Sequence, residues 1–159
     1  MEKILIAVDG WPASDDAMAF GVELAAEQGA DVTFVHVAPI LDAAPMMGFP
    51  IAAAAPHVVG AEDRSPLDRA VIHADEHGVV AETELLQGDP VDEIVSLADS
   101  LDVDLIVVGC RGHGAFTDAL LGSVSHGILH ESKRPVLVVR GNPVTVPATL
   151  CGDLAASHA

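Results

Sequence analysis

The chemistry of this chain concentrates between positions 109 and 125, which read Gly109-Cys110-Arg111-Gly112-His113-Gly114-Ala115-Phe116-Thr117-Asp118-Ala119-Leu120-Leu121-Gly122-Ser123-Val124-Ser125. Glycines allow a backbone to approach a ligand closely and to take φ values closed to other residues. A row of amide N–H groups leading into a helix N-terminus makes a cradle for phosphate. Ser123 and Ser125 offer hydroxyl donors at the same place, and Arg111 is the only cation nearby in sequence. The stretch is not a P-loop, because no Gly-x-x-x-x-Gly-Lys-Ser/Thr occurs. It is not a dinucleotide fingerprint either, since the turn after the first apolar run lacks three glycines. The same residues also suit an ordinary glycine-rich turn followed by an N-cap serine, and generic physics leaves both readings standing.

Other reactive side chains form no comparable constellation. His126 and His130 are four apart and would share a helix face, a spacing compatible with a metal, but no third ligand is evident. His113 can donate to phosphate when protonated. Met46, Met47 and Phe49 suit a cover over a ligand or a subunit contact. The two cysteines, Cys110 and Cys151, make neither a disulfide framework nor a zinc pattern. No Ser-His-Asp arrangement can be argued from spacing. Without a base or a residue to position water, the expectation is a binding protein with slow turnover at best, with no catalytic residues and no dedicated metal site.

The elements that must position the 109–125 segment follow from periodicity. Strand-like apolar runs alternate with amphipathic helices, the mark of βαβ units. Ile4-Leu5-Ile6-Ala7-Val8 reads as a buried strand. Ser14 is expected to cap the next helix, with Ala17, Phe20, Gly21, Leu24 and Ala25 as its inner stripe and Gly29 at its end. Val32-Thr33-Phe34-Val35-His36-Val37 is the second strand. Ser65-Pro66 reads as the start of a helix whose inner face is Leu67, Ala70, Val71 and Ala74, closed by Gly78. A third strand over 79–86 alternates as an edge strand does. Asp89-Pro90 starts another helix, with Val91, Ile94, Val95 and Ala98 inward. The fourth strand is Leu105-Ile106-Val107-Val108, a helix over 123–131 follows, and Val136-Leu137-Val138-Val139 is the fifth. The pattern predicts an α/β doubly wound, five-stranded parallel sheet. Ligands of such sheets sit beyond the carboxyl ends of the strands, where the strand order reverses. The first and fourth strands should flank that point.

A length of 159 residues, half of them hydrophobic and only 3% aromatic, suits one domain cored by Val, Ile, Leu and Ala. The domain is expected over 1–140, with a long loop over 38–64 and a tail over 141–159. The uncharged stretch 43–61 contains Pro45, Pro50 and Pro56, which works against a membrane span. With no signal-peptide pattern at the start and few cysteines, the expected location is the cytoplasm. Two lysines and five arginines stand against 24 carboxylates, for a net charge of −17. Such a surface disfavours nucleic acid, whose affinity comes from Lys and Arg on phosphates. It suits a salt-rich cytosol, as in a halophile, or simply an acidic protein.

Gly109-x2-Gly112-x9-Gly122-Ser123 resembles the nucleotide motif of the universal stress protein family, of the ATP-binding class. Ile6-Ala7-Val8-Asp9-Gly10 with Pro12-Ala13-Ser14 is similar to that family's first strand and loop. Val124-Ser125 and Pro135-Val136-Leu137-Val138-Val139-Arg140 are similar to its last helix and strand. The resemblance covers roughly residues 2–140, without the loop and tail.

The resemblance implies a flavodoxin-like (Rossmann-like) sheet of order 3-2-1-4-5 and a nucleotide: ATP, with Mg or Mn as counter-ion, or else ADP or AMP. By position, Asp9 would sit by the ribose and adenine, with Ala7, Val8 and Val37 lining the adenine slot beside Val108. Gly109, Arg111 and Gly112 would approach ribose and phosphates, and Gly122, Ser123, Val124 and Ser125 would hold the phosphates. Asp9 also suits an Asx turn. Asp118 would repel a triphosphate unless a divalent cation intervenes, Cys110 stands where the family often has serine, and Trp11 stands where it often has a small residue. The implied role is regulatory, in a stress response, through a homodimer joined at the fifth strand and through protein contacts, with no nucleic-acid or membrane partner. Two alternatives stay open: an enzyme that hydrolyses or transfers adenine nucleotides, and a nucleotide-free dimeric adaptor or transport regulator.

Overall fold

The computed structural model describes residues 1–38, 40, 60–110 and 122–140. The elements run β1 (Lys3–Ala7), α1 (Pro12–Gln28), β2 (Asp31–Ala38), α2 (Ala61–Glu76), β3 (Ala81–Gln87), α3 (Pro90–Leu101), β4 (Leu105–Cys110), α4 (Ser123–Glu131) and β5 (Val136–Arg140). All strand pairs are parallel. The five-stranded sheet has the order β3-β2-β1-β4-β5, so β1 and β4 flank the reversal and β3 and β5 are its edges.

Side chains of a strand alternate between faces, and here the alternation builds two cores. Ile4, Ile6, Val32, Phe34 and Val107 face α1 and α2. Leu5, Val35, Ile106 and Val108 face the other way and pack with Ile94, Ala98 and Ile128 of α3 and α4. Strands buried on both faces explain the uninterrupted apolar runs of β1 and β4.

Helix starts account for most departures from expectation. Ser14 does not cap α1. Trp11 is the N-cap and makes no side-chain cap bond, while Pro12 takes the first helical position with its φ already preset. The Ser14 hydroxyl instead accepts the amide of Asp9 at 3.0 Å. Helix α2 starts at Ala61 rather than at Ser65-Pro66, because the Gly60 amide donates to Asp63 Oδ2 at 2.8 Å and anchors an earlier first turn. Pro66 therefore lies inside the helix, where it packs 3.3 Å from the point a Cβ on Gly10 would occupy. The expected loop 38–64 accordingly gives up 61–64 to α2 and Ala38 to β2, and its remainder is outside the described residues apart from Ile40 and Gly60. The tail 141–159 also lies outside them.

Asp89 caps α3 as expected, accepting from the amides of Val91 at 2.9 Å and Asp92 at 3.3 Å. Helix α4 has the expected bounds. In α1 the buried face is shifted from the expected stripe: Ala13, Ser14 and Val22 join Ala17, Gly21 and Ala25, whereas Phe20 is 47% exposed. The helix lies so close to β1 at Gly21 that a Cβ there would come within 2.5 Å of Ile6 Cδ1, and the larger Phe20 is turned off that line. Val71 of α2 is likewise at the surface. Among the described residues no helix is long and apolar enough to cross a membrane. Most of the stretch 43–61 that prompted the question is outside them.

Candidate functional site

A cavity opens beyond the carboxyl ends of β1 and β4, at the point where the strand order reverses. Ala7, Val8 and Asp9 reach it from β1, Val108 and Gly109 from β4, and Val35, His36 and Val37 from β2. Pro90 and Ile94 of α3 close one side, and Ala13 and Ser14 of α1 another. Gly122, Ser123, Val124 and Ser125 complete it from the start of α4. Ten residues singled out from the sequence thus come to one place, while Arg111 and Gly112 lie outside the described residues. So do His113, Met46, Met47, Phe49, Cys151 and the segment 115–118.

Three turns fix the geometry. After β1, Asp9 Oδ1 accepts the Trp11 amide at 3.0 Å, so the carboxylate closes an Asx turn. Gly10 follows with φ of +81°, a left-handed conformation that glycine takes without strain. Across the switch point, a Cβ on Gly109 would overlap the Ala13 carbonyl oxygen and lie 2.6 Å from its carbon. The first need for glycine at 109 is therefore the close approach of α1 to β4. At α4, the buried Ser125 hydroxyl donates to the Gly109 carbonyl at 2.8 Å. Its hydrogen is thus committed to tying α4 to β4 and is not available to a phosphate, contrary to the reading of both serines as hydroxyl donors.

Among the described residues helix α4 has no side-chain cap, and it has no acidic residue in its first turn. The first intrahelical amide bond is that of His126 to Gly122 O at 2.9 Å. The preceding amides, at Ser123, Val124 and Ser125, make no intrahelical bond and carry the positive end of the helix dipole at the cavity. Ser123 is exposed at the same rim. By contrast, Asp89 occupies the N-terminus of α3 and Pro12 contributes no amide to that of α1. Of the helix starts at this cavity, α4 is the one suited to an anion.

The walls are apolar through Ala7, Val8, Val35, Val37, Ile94 and Val108, a slot suited to a flat heterocycle. Among the described lining residues, Asp9 is the one carboxylate, His36 the one imidazole, and there is no Lys or Arg. His36 Nδ1 lies 2.7 Å from the Val8 carbonyl oxygen. A carbonyl only accepts, so Nδ1 carries the hydrogen. Sequence reasoning missed Ala13, Ser14, Val35, His36, Pro90 and Ile94 as lining residues. A polar residue inside the β2 run was the one available signal for His36, and Ser14 was misassigned to a cap. His126 and His130 both lie on α4, and among the described residues no cluster of three or more His, Cys, Asp or Glu side chains could hold a metal ion.

The model of the "Universal stress protein family" matches residues 1–140. The chain belongs to the universal stress protein family. It is 36% identical over 147 residues to "Universal stress protein YxiE" of Bacillus subtilis, an overlap covering 87% of this chain and 98% of that one. A universal stress protein solved in complex with cAMP superposes with a TM-score of 0.67 at 28% identity, covering 89% of this chain and 98% of that chain. The universal stress protein from Archaeoglobus fulgidus solved in complex with dAMP gives a TM-score of 0.63 at 26% identity, covering 87% of this chain and 97% of that chain. As a member of this family the chain has the flavodoxin-like α/β fold expected from its motifs, and the 1–140 match spans every described strand and helix.

Proposed function

We propose that this universal stress protein binds an adenine nucleotide in the switch-point cavity and acts as a regulator in a stress response. The observation that carries the reading is the placement around one cavity of an apolar slot, a carboxylate and a helix N-terminus with no side-chain cap among the described residues. Each suits a different part of a nucleotide: the slot the base, Asp9 the sugar hydroxyls, and the amides of α4 the phosphate. Two relatives above 25% identity were solved with the nucleotides cAMP and dAMP, which supports the same class of ligand here.

ATP with Mg or Mn is the form the motif favours. A monophosphate asks less of a site with one lining carboxylate and no lining cation among the described residues. Regulation would pass through protein contacts in the cytoplasm. We assign the dimer to β5, a sheet edge whose Val136, Leu137, Val138 and Val139 are each only partly buried. Pairing that edge would cover its backbone groups.

The direct test is to denature protein purified without added nucleotide and identify what it releases by mass spectrometry. An adenine nucleotide at near-stoichiometric amount is expected. A different class of ligand in that amount would overturn the reading.

A further inference from the structure

The peptide unit that joins β1 to its following turn is held at both ends by side chains. The backbone ladder between β1 and β2 ends with the Val8 amide donating to the Val35 carbonyl at 2.9 Å. Past that rung β1 leaves the sheet, while β2 stays paired with β3 as far as Ala38. Val8 is buried and Asp9 half-buried, so the Val8 carbonyl and the Asp9 amide need partners that the sheet no longer supplies. His36 and Ser14 supply them. The imidazole Nδ1–H donates to the Val8 carbonyl at 2.7 Å, and the Asp9 amide donates to Ser14 Oγ at 3.0 Å.

The histidine is the less expected partner of the two. Alternation puts His36 on the same face of β2 as Phe34, which is fully buried in the core, and its register partner on β3 is Leu85. Packing alone would favour another apolar side chain there. An imidazole adds a donor on a short, stiff arm, aimed from β2 at the last carbonyl of the β1 run. We propose that His36 is a positioning residue for ligand binding: by fixing the Val8–Asp9 peptide from β2, it sets the course of the β1–α1 turn that walls the cavity. Its effect on the ligand passes through that peptide. This inference rests on the nucleotide reading above and adds to it the residue that holds one wall in place.

His36→Asn and His36→Leu separate this role from packing. The Asn amide nitrogen takes nearly the place of Nδ1 and can donate the same bond, whereas Leu fills similar space with no donor. Each protein is titrated with AMP and with ATP by calorimetry, and its melting temperature is measured alongside. His36→Asn should bind within about 3-fold of the wild type, and His36→Leu roughly 3- to 10-fold more weakly, the effect of one hydrogen bond. A side chain that only packs would give the reverse order. Wild-type affinity in His36→Leu would overturn the inference, as would a larger loss than about 3-fold in His36→Asn. That second comparison decides by itself if His36→Leu does not fold. A wild type that bound neither nucleotide would bring down the nucleotide reading and the inference with it, whereas the other contrary results bring down the inference alone.

Discussion

Gly109 shows how one residue serves both fold and site. Its backbone lines the cavity, yet the space a Cβ would need is filled by the Ala13 carbonyl. Backbone cannot yield as a flexible side chain can, so Gly109→Ala should cost about 3 kcal/mol or more of stability. Denaturant melts would show this directly, and an unchanged midpoint would mean that α1 sits further from β4 than described. The residue was legible in the sequence as a functional glycine, but the reason for it was not. Close helix–strand approach depends on where α1 lands, which spacing along the chain does not encode. Ser14 and Ser125 illustrate the same gap. Ser14 was legible as a helix cap and Ser125 as a hydroxyl in the motif, but their hydrogen-bond partners, Asp9 and Gly109, are set by tertiary contact.

At the scale of elements, legibility followed the strength of the local signal. Asp89-Pro90 pairs a capping carboxylate with a proline at the first helical position, and α3 starts there. Ser65-Pro66 presents nearly the same signal and misled, because Gly60 and Asp63 start α2 earlier and Pro66 forfeits a single intrahelical bond. The amino-terminal end of the sheet carries an element-level prediction of its own. Asp104, just before β4, accepts the amides of Glu2 at 2.6 Å and Lys3 at 3.1 Å, joining the start of β1 to β4. These bonds, that from Glu2 foremost, hold its carboxyl below the ordinary value. With the folded-state value depressed, the native chain binds fewer protons than the unfolded one. The stabilisation is therefore complete above the unfolded value of about 4 and is lost as pH falls through the folded value. Asp104→Asn should melt lower than the wild type near neutral pH, and the gap should narrow below about pH 4. Thermal melts across that range would check it, and a gap that widened in acid would contradict the assignment.

For the whole molecule, order and class of the sheet followed from alternating apolar runs together with the family motif, and the strands fall where the runs lie. The charge of −17 is not built into either core: among the described residues no Asp, Glu, Lys or Arg is buried. Its consequence is self-repulsion, which salt screens over a Debye length of about 3 Å at 1 M. The melting temperature should rise by several degrees between dilute buffer and about 1 M KCl. A flat or falling curve would remove the case for adaptation to a salt-rich cytosol.

The central claim is that the open N-terminus of α4 holds the phosphate of a nucleotide, and Ser123→Asp tests it at one atom group. A carboxylate at the first position of α4 suits the helix dipole, so the fold should be as stable as before or slightly more so. The same carboxylate would stand where the phosphate is held, and affinity for AMP and ATP should fall roughly 10-fold or more. Paired thermal melts and calorimetric titrations give both readouts. Preserved stability with lost nucleotide affinity is the predicted result, and nucleotide affinity equal to that of the wild type would contradict the account.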